Sequence, residues 1–243
     1  MKDINKKRIY YSAAIPLFVL LFIWFIYLLQ WGFNLSFTHY GIYPREANGW
    51  KGIYFSFFIH ADLRHIFANS SAIFILLWIL YYFFKDIANI VFPLCLVVSG
   101  LVTFIIGRPA YHIGASGTIY ALFFFLIVSS LYRKNRKLTA ISLMTVFIYG
   151  GLVWNMTPIT QIIDPSISWE GHLSGAITGT ILAFLFRKKG PGNDPEIIDE
   201  DDDSDDTNDA GPIKDNSEEI KENFKETDSN SKEIKDKSDE NKG

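Results

Sequence analysis

Six mostly apolar stretches recur in the first 189 residues, at roughly 11–31, 65–84, 88–106, 116–132, 138–154 and 169–186. Each is close to the about 20 residues that an α-helix needs to cross a bilayer. Polar breaks separate them. Lys85-Asp86 ends the second stretch, Gly107-Arg108-Pro109 the third, the basic run 133–137 the fourth, and Arg187-Lys188-Lys189 the sixth. The first stretch stays uncharged from Ile9 to Pro44, longer than the apolar part of a secretory signal and without a clear cleavage site. It reads as a retained transmembrane helix. The pattern predicts an all-α membrane protein with six transmembrane helices.

Basic residues orient the spans. With the N-terminus cytoplasmic, the inner segments hold Lys2, Lys6, Lys7, Arg8, Lys85, Arg133, Lys134, Arg136, Lys137, Arg187, Lys188 and Lys189, against Arg45, Lys51, Arg64 and Arg108 outside. Both termini are therefore expected inside, in a multi-pass protein of the cell membrane. The first outer loop, about 32–64, is long and rich in aromatic residues, Trp50, Tyr54, Phe55 and Phe57 among them. Such rings favour the membrane interface.

Composition changes the picture at Gly190. Residues 190–243 hold 20 acidic against 7 basic side chains, a local net charge of −13, whereas residues 1–189 carry a net +10. A segment so charged and so poor in apolar periodicity is expected to be disordered. The division is a short basic cytoplasmic N-terminus at 1–9, a six-span domain at 10–189 and a disordered acidic cytoplasmic tail at 190–243. The tail's charge serves either solubility or contact with basic partners. The single cysteine, Cys95, excludes a disulfide framework and reads as a buried free thiol.

Polar groups inside spans are costly and therefore informative. Three clusters stand out: His60, His65 and Asn69; Gly114-Ala115-Ser116-Gly117; and Glu170-Gly171-His172-Leu173-Ser174-Gly175. They open spans two, four and six, so all three lie at one face, the outer one in the assigned orientation. His65 and Asn69, four residues apart, project from one side of their helix. A serine, a histidine and two further polar side chains at one level form the inventory of nucleophile, general base and oxyanion donors. Gly117, Gly175 and Gly179 allow the fourth and sixth helices to pack closely, which is expected to bring His172 within hydrogen-bond reach of Ser116. Tyr120, one turn past Ser116, is placed to lay its ring on the imidazole.

This constellation resembles the rhomboid family of intramembrane serine proteases. The resemblance covers nearly all of residues 10–189. It rests on His60, His65 and Asn69 at their spacing, on Gly114, Ser116 and Gly117, and on His172, Gly175 and Gly179, with residues 114–122 close to bacterial members. The resemblance implies a six-helix rhomboid bundle with Ser116 as nucleophile and His172 as general base and acid. It also implies that His65, Asn69 and the Ser116 amide stabilise the oxyanion, that His60 is structural near the first loop, and that Tyr120 underlies His172. Gly171 stands where many members have alanine, and Trp50-Lys51 where many have a Trp-Arg pair; the first should loosen that turn slightly.

The expected reaction is hydrolysis of a peptide bond in or beside a transmembrane segment, with no cofactor and no metal. Expected partners are membrane lipid and transmembrane proteins with helix-weakening or small residues near the cut, and not nucleic acid. The alternative is a catalytically silent relative that binds membrane clients. A transporter lacks charged span centres and an inverted repeat here, and a zinc site from His60, His65 and His172 would leave Ser116 idle.

Overall fold

A computed structural model describes residues 2–133 and 135–192. Among the described residues the regular elements are α1 (Lys2–Gly32), α2 (Gly52–Phe55), α3 (Leu63–Phe83), α4 (Lys85–Ile106), α5 (Ser116–Leu131), α6 (Arg136–Tyr149), α7 (Ile159–Ile163) and α8 (Trp169–Leu185), joined by loops with short 3₁₀ turns. The all-α class follows directly. From residue 193 the tail expected at 190–243 lies outside the described residues.

By length and composition, α1 from Lys7, α3 and α4 suffice to cross a membrane. Helices α5, α6 and α8 have 16, 14 and 17 residues, about 24, 21 and 26 Å at the helical rise. Each falls short of the about 30 Å of a hydrocarbon core. The fifth apolar stretch, 138–154, does not stay α-helical throughout. It tightens into a 3₁₀ segment over Gly150–Met156, beginning at the pair Gly150-Gly151. Glycine holds an α-helix weakly.

Local signals set several helix starts. The Asp62 carboxylate accepts the His65 N–H at 2.8 Å and so caps α3. Asn135 caps α6 through the Leu138 N–H, and Ser168 caps α8 through the Gly171 N–H. The core sits around α5, where Ile119 through Phe123, Phe125 and Leu126 are all buried. Helix α3 presents one stripe to it: Ile66, Asn69, Ile73, Leu76, Leu77 and Leu80. The outside is also apolar. Phe147 is 92% exposed and Ile162 84%, an outward apolar surface that suits a lipid solvent better than water.

Helix α1 is tied to α3 by Trp24 Nε1–H donating to Ser70 Oγ at 3.0 Å and Trp78 Nε1–H to Ser12 Oγ at 3.0 Å. The long first loop is folded onto the bundle. Ile42, Ile53, Phe57 and Ile59 are buried, while Trp50, Tyr54 and Phe55 face outward. Ile42 and His112 exchange backbone hydrogen bonds at 3.0 and 2.8 Å, and the Gly114 N–H donates to the Ser56 carbonyl at 2.8 Å. The first loop thus braces the loop that leads into α5. Arg45 adds a tie from that loop to α4, donating to the Ile105 carbonyl at 2.8 Å.

Candidate active site

Ser116 is the first residue of α5 and is partly exposed. The first N–H groups of any helix lack intrahelical acceptors, and Ala115, which precedes this one, supplies no side-chain cap. Positive potential and free N–H groups therefore gather at the nucleophile candidate. Gly114, two residues earlier, has φ +105°, a conformation that favours glycine.

A second reason for that glycine comes from α3. A Cβ on Gly114 would stand 2.6 Å from His65 Nε2 and 3.5 Å from Asn69 Nδ2. Both α3 side chains therefore press on the backbone just before Ser116, as their spacing of four residues leads one to expect. Asn69 Nδ2 is buried and has no hydrogen-bond partner among the described residues. An unmet donor of that kind is costly, and it is available for an acceptor that forms beside Ser116.

His60 lies behind His65, in the loop before α3. The two rings meet edge to face with centroids 5.0 Å apart, and Gln30 Nε2–H from the last turn of α1 donates to the His60 carbonyl at 3.2 Å. Burial, and then the neighbouring His65, pull the His60 pKa from 6.5 down to about 3, so the ring is neutral.

On α8, His172 is buried in the first turn. Its Nδ1 lies 2.9 Å from the Asn155 carbonyl. A carbonyl only accepts, so Nδ1 carries the proton and Nε2 is left as the basic nitrogen. Tyr120 stacks on the ring, with centroids 4.3 Å apart and planes 8° apart. Its hydroxyl shares a hydrogen bond with the Asn155 side chain. Asn155 thus serves both partners, and nothing in its sequence surroundings marks it, because the atom that orients His172 belongs to the backbone.

Helices α5 and α8 make the most extensive helix contact of the fold. A Cβ on Gly175 would collide with the Gly117 carbonyl oxygen, and one on Gly179 with the Ala121 carbonyl oxygen. A Cβ on Gly117 would sit 3.3 Å from the Gly171 carbonyl oxygen. The residues that follow Ser116 and precede His172 are therefore neighbours. The direct Ser116–His172 hydrogen bond expected from this packing is not made among the described residues. Such bonds are often long before substrate binds.

Beside Ser116 lies a cavity of about 30 Å³, bordered by Ile53, Phe57, Ser99, Thr103, His112 and Ser168; it has room for about one small group. No set of three or more His, Cys, Asp or Glu side chains gathers among the described residues, so His60, His65 and His172 do not form a zinc arrangement there. Cys95 is buried in α4 as a free thiol.

The family model for the rhomboid domain matches residues 47–189, from within the first loop to the end of α8, with α1 ahead of it. An uncharacterized protein of Mycobacterium tuberculosis is 30% identical over 178 residues, covering 69% of this chain and 73% of the relative. One of Mycobacterium leprae is 31% identical over 142 residues, covering 55% of each chain. A protein of Acanthamoeba polyphaga mimivirus named for the rhomboid family is 29% identical over 139 residues, covering 53% of this chain and 71% of that one. Members of the matched family are generally intramembrane serine proteases. This chain, with its helices α2 to α8 inside the matched region, belongs to the rhomboid family.

Proposed function

We propose that the chain is an intramembrane serine endopeptidase that cuts transmembrane segments of other membrane proteins near the outer face of the cell membrane. The observation that carries this reading is the setting of His172. Its Nδ1–H is committed to the Asn155 carbonyl and its face to Tyr120 of α5, which leaves Nε2 as the free basic nitrogen, and Ser116 begins that same helix one turn before Tyr120.

In the proposed reaction the Ser116 hydroxyl attacks a substrate carbonyl while His172 Nε2 takes its proton. The negative oxygen that forms is met by the Ser116 N–H, Asn69 Nδ2 and His65. His172 then returns the proton to the leaving amine, and water cleaves the acyl ester by the same route. The about 30 Å³ cavity beside Ser116 suits a small substrate side chain. A helix hides its carbonyls in hydrogen bonds, so helix-weakening residues near the cut would favour entry. Helices α1, α3, α4, α5, α6 and α8 are the six spans of this reading. The excess of basic residues on one side puts both termini in the cytoplasm.

The alternative is a client-binding protein without activity, and the missing Ser116–His172 hydrogen bond is the observation in its favour. Reconstitution into liposomes with a tagged single-span substrate carrying a glycine and small residues near its outer end separates the two. The proposal expects a cut in or beside the span, mapped by mass spectrometry, and none with Ser116→Ala. An intact substrate, under conditions where another rhomboid protease cuts it, would favour client binding.

A further inference from the structure

His112 and Ser168 border the cavity beside Ser116, and together with Arg108, which like them has no part in the proton transfers above, they join the two halves of the site. The Arg108 carbonyl can only accept, so His112 Nε2–H donates to it at 3.1 Å. The Nδ1 of a neutral ring is then an acceptor, and the Ser168 hydroxyl donates to it at 2.5 Å. The Ser168 oxygen in turn accepts the Gly171 N–H at 3.2 Å, capping α8 next to His172. Every proton in this series has one direction.

The series has firm anchors at each end. On the α5 side, His112 is paired through its backbone to Ile42 and stands four residues before Ser116. On the α8 side, Arg108 Nη1–H donates to Glu170 Oε2 at 2.8 Å, and Nη2–H groups donate to the carbonyls of Pro165 at 2.8 Å and Ile167 at 3.1 Å. Glu170 is itself buried. Gly171 has a part as well. A Cβ there would stand 2.8 Å from Ser168 Oγ, so the glycine leaves the space in which that hydroxyl reaches His112.

We propose that His112 and Ser168 are positioning residues: their hydrogen bond clasps the loop that carries Ser116 to the turn that carries His172 and sets the distance across which the proton moves. This assignment rests on the hydrolase reading of Ser116 and His172. It predicts that losing the clasp slows the chemistry of Ser116, because misplacing reacting groups by about 1 Å can cost about a hundredfold in rate.

The test is the rate at which a fluorophosphonate probe labels Ser116 in the purified full chain. Compared are wild type, His112→Phe, Ser168→Ala, the double variant, Ser168→Thr and Gly171→Ala, with thermal unfolding recorded for each. The clasp predicts that His112→Phe, Ser168→Ala and Gly171→Ala each slow labelling about ten- to a hundredfold. The double variant should be no slower than the singles, because both remove one interaction. Ser168→Thr, which keeps the hydroxyl, should restore labelling. Where His112→Phe fails to fold, the Ser168 and Gly171 variants still decide. Unchanged labelling in folded variants, losses that multiply in the double variant, or no rescue by threonine would overturn the clasp alone. A wild type that takes no label would overturn the hydrolase reading, and the clasp's part in catalysis with it.

Discussion

Tyr120 lies flat against His172, with ring centroids 4.3 Å apart and planes 8° apart. The stack and the Asn155 carbonyl together hold the imidazole in one plane and one tautomer, where many serine hydrolases use a carboxylate. Tyr120→Phe keeps the stack and loses the hydroxyl's hydrogen bond, so it should retain a measurable share of activity. Tyr120→Ala removes a fully buried ring, which should cost about 3–5 kcal/mol of stability and abolish turnover. Cleavage assays alongside thermal unfolding of both variants check this.

The oxyanion donors should rank below the dyad. Asn69→Ala removes one donor, whose loss in a well-studied serine protease costs about 10²–10³ in rate. Ser116→Ala and His172→Ala should each remove the reaction altogether. Single-turnover cleavage of one substrate by all three variants gives the order, and an Asn69→Ala enzyme as fast as wild type would remove that side chain from the site.

Glycine positions test the packing. Gly114→Ala combines a positive φ with a Cβ that would run into the His65 imidazole. Gly179→Ala drives a Cβ into the Ala121 carbonyl. Both should lower stability by at least about 1–3 kcal/mol. Gly151→Ala, with nothing within 4 Å of its Cβ position, should be near neutral. Thermal unfolding in detergent compares the three.

The pair Arg108–Glu170 is mostly buried, with Nη1 and Oε2 2.8 Å apart. Glu170→Ala leaves the guanidinium without its carboxylate and should cost about 3–5 kcal/mol. Glu170→Gln keeps a hydrogen-bond acceptor and should cost less. The ordering of their unfolding midpoints is the check.

Stability should fall in acid. Above about pH 6.5, the ordinary histidine value, His60 is neutral in both the folded and the unfolded chain. Between there and about pH 3 only the unfolded chain takes up the proton, since burial keeps the folded His60 pKa at about 3. Stability is therefore lost as pH falls through that window, by on the order of 5 kcal/mol when complete. His112, whose pKa burial also lowers, acts in the same direction. Unfolding midpoints at about pH 7.5, 6 and 4.5 measure the slope, and His60→Leu should flatten it.

Much of the site is legible in the chain because its members lie within short motifs. Ser116 and Tyr120 are one turn apart, as are His65 and Asn69, and His172, Gly175 and Gly179 share one stripe, so helical geometry alone places them. Asn155 is not legible, since what it offers His172 is a carbonyl that every residue has. His112 is not legible either. Its partner Ser168 is 56 residues away, and only the fold brings them together, although Ser168 itself has the look of a cap before Gly171. The span ends differ where the apolar pattern ignores the backbone, as at Gly150, where α6 tightens into a 3₁₀ turn before its apolar run is over.

The proposed activity stands or falls on Ser116 being a nucleophile activated by His172. The most direct measurement is fluorophosphonate labelling of the purified protein in mild detergent, with the adduct mapped by mass spectrometry in wild type, Ser116→Ala and His172→Ala. The expected result is a single adduct on Ser116 that both substitutions abolish. A folded wild type without an adduct on Ser116, while another rhomboid protease is labelled in parallel, would contradict it.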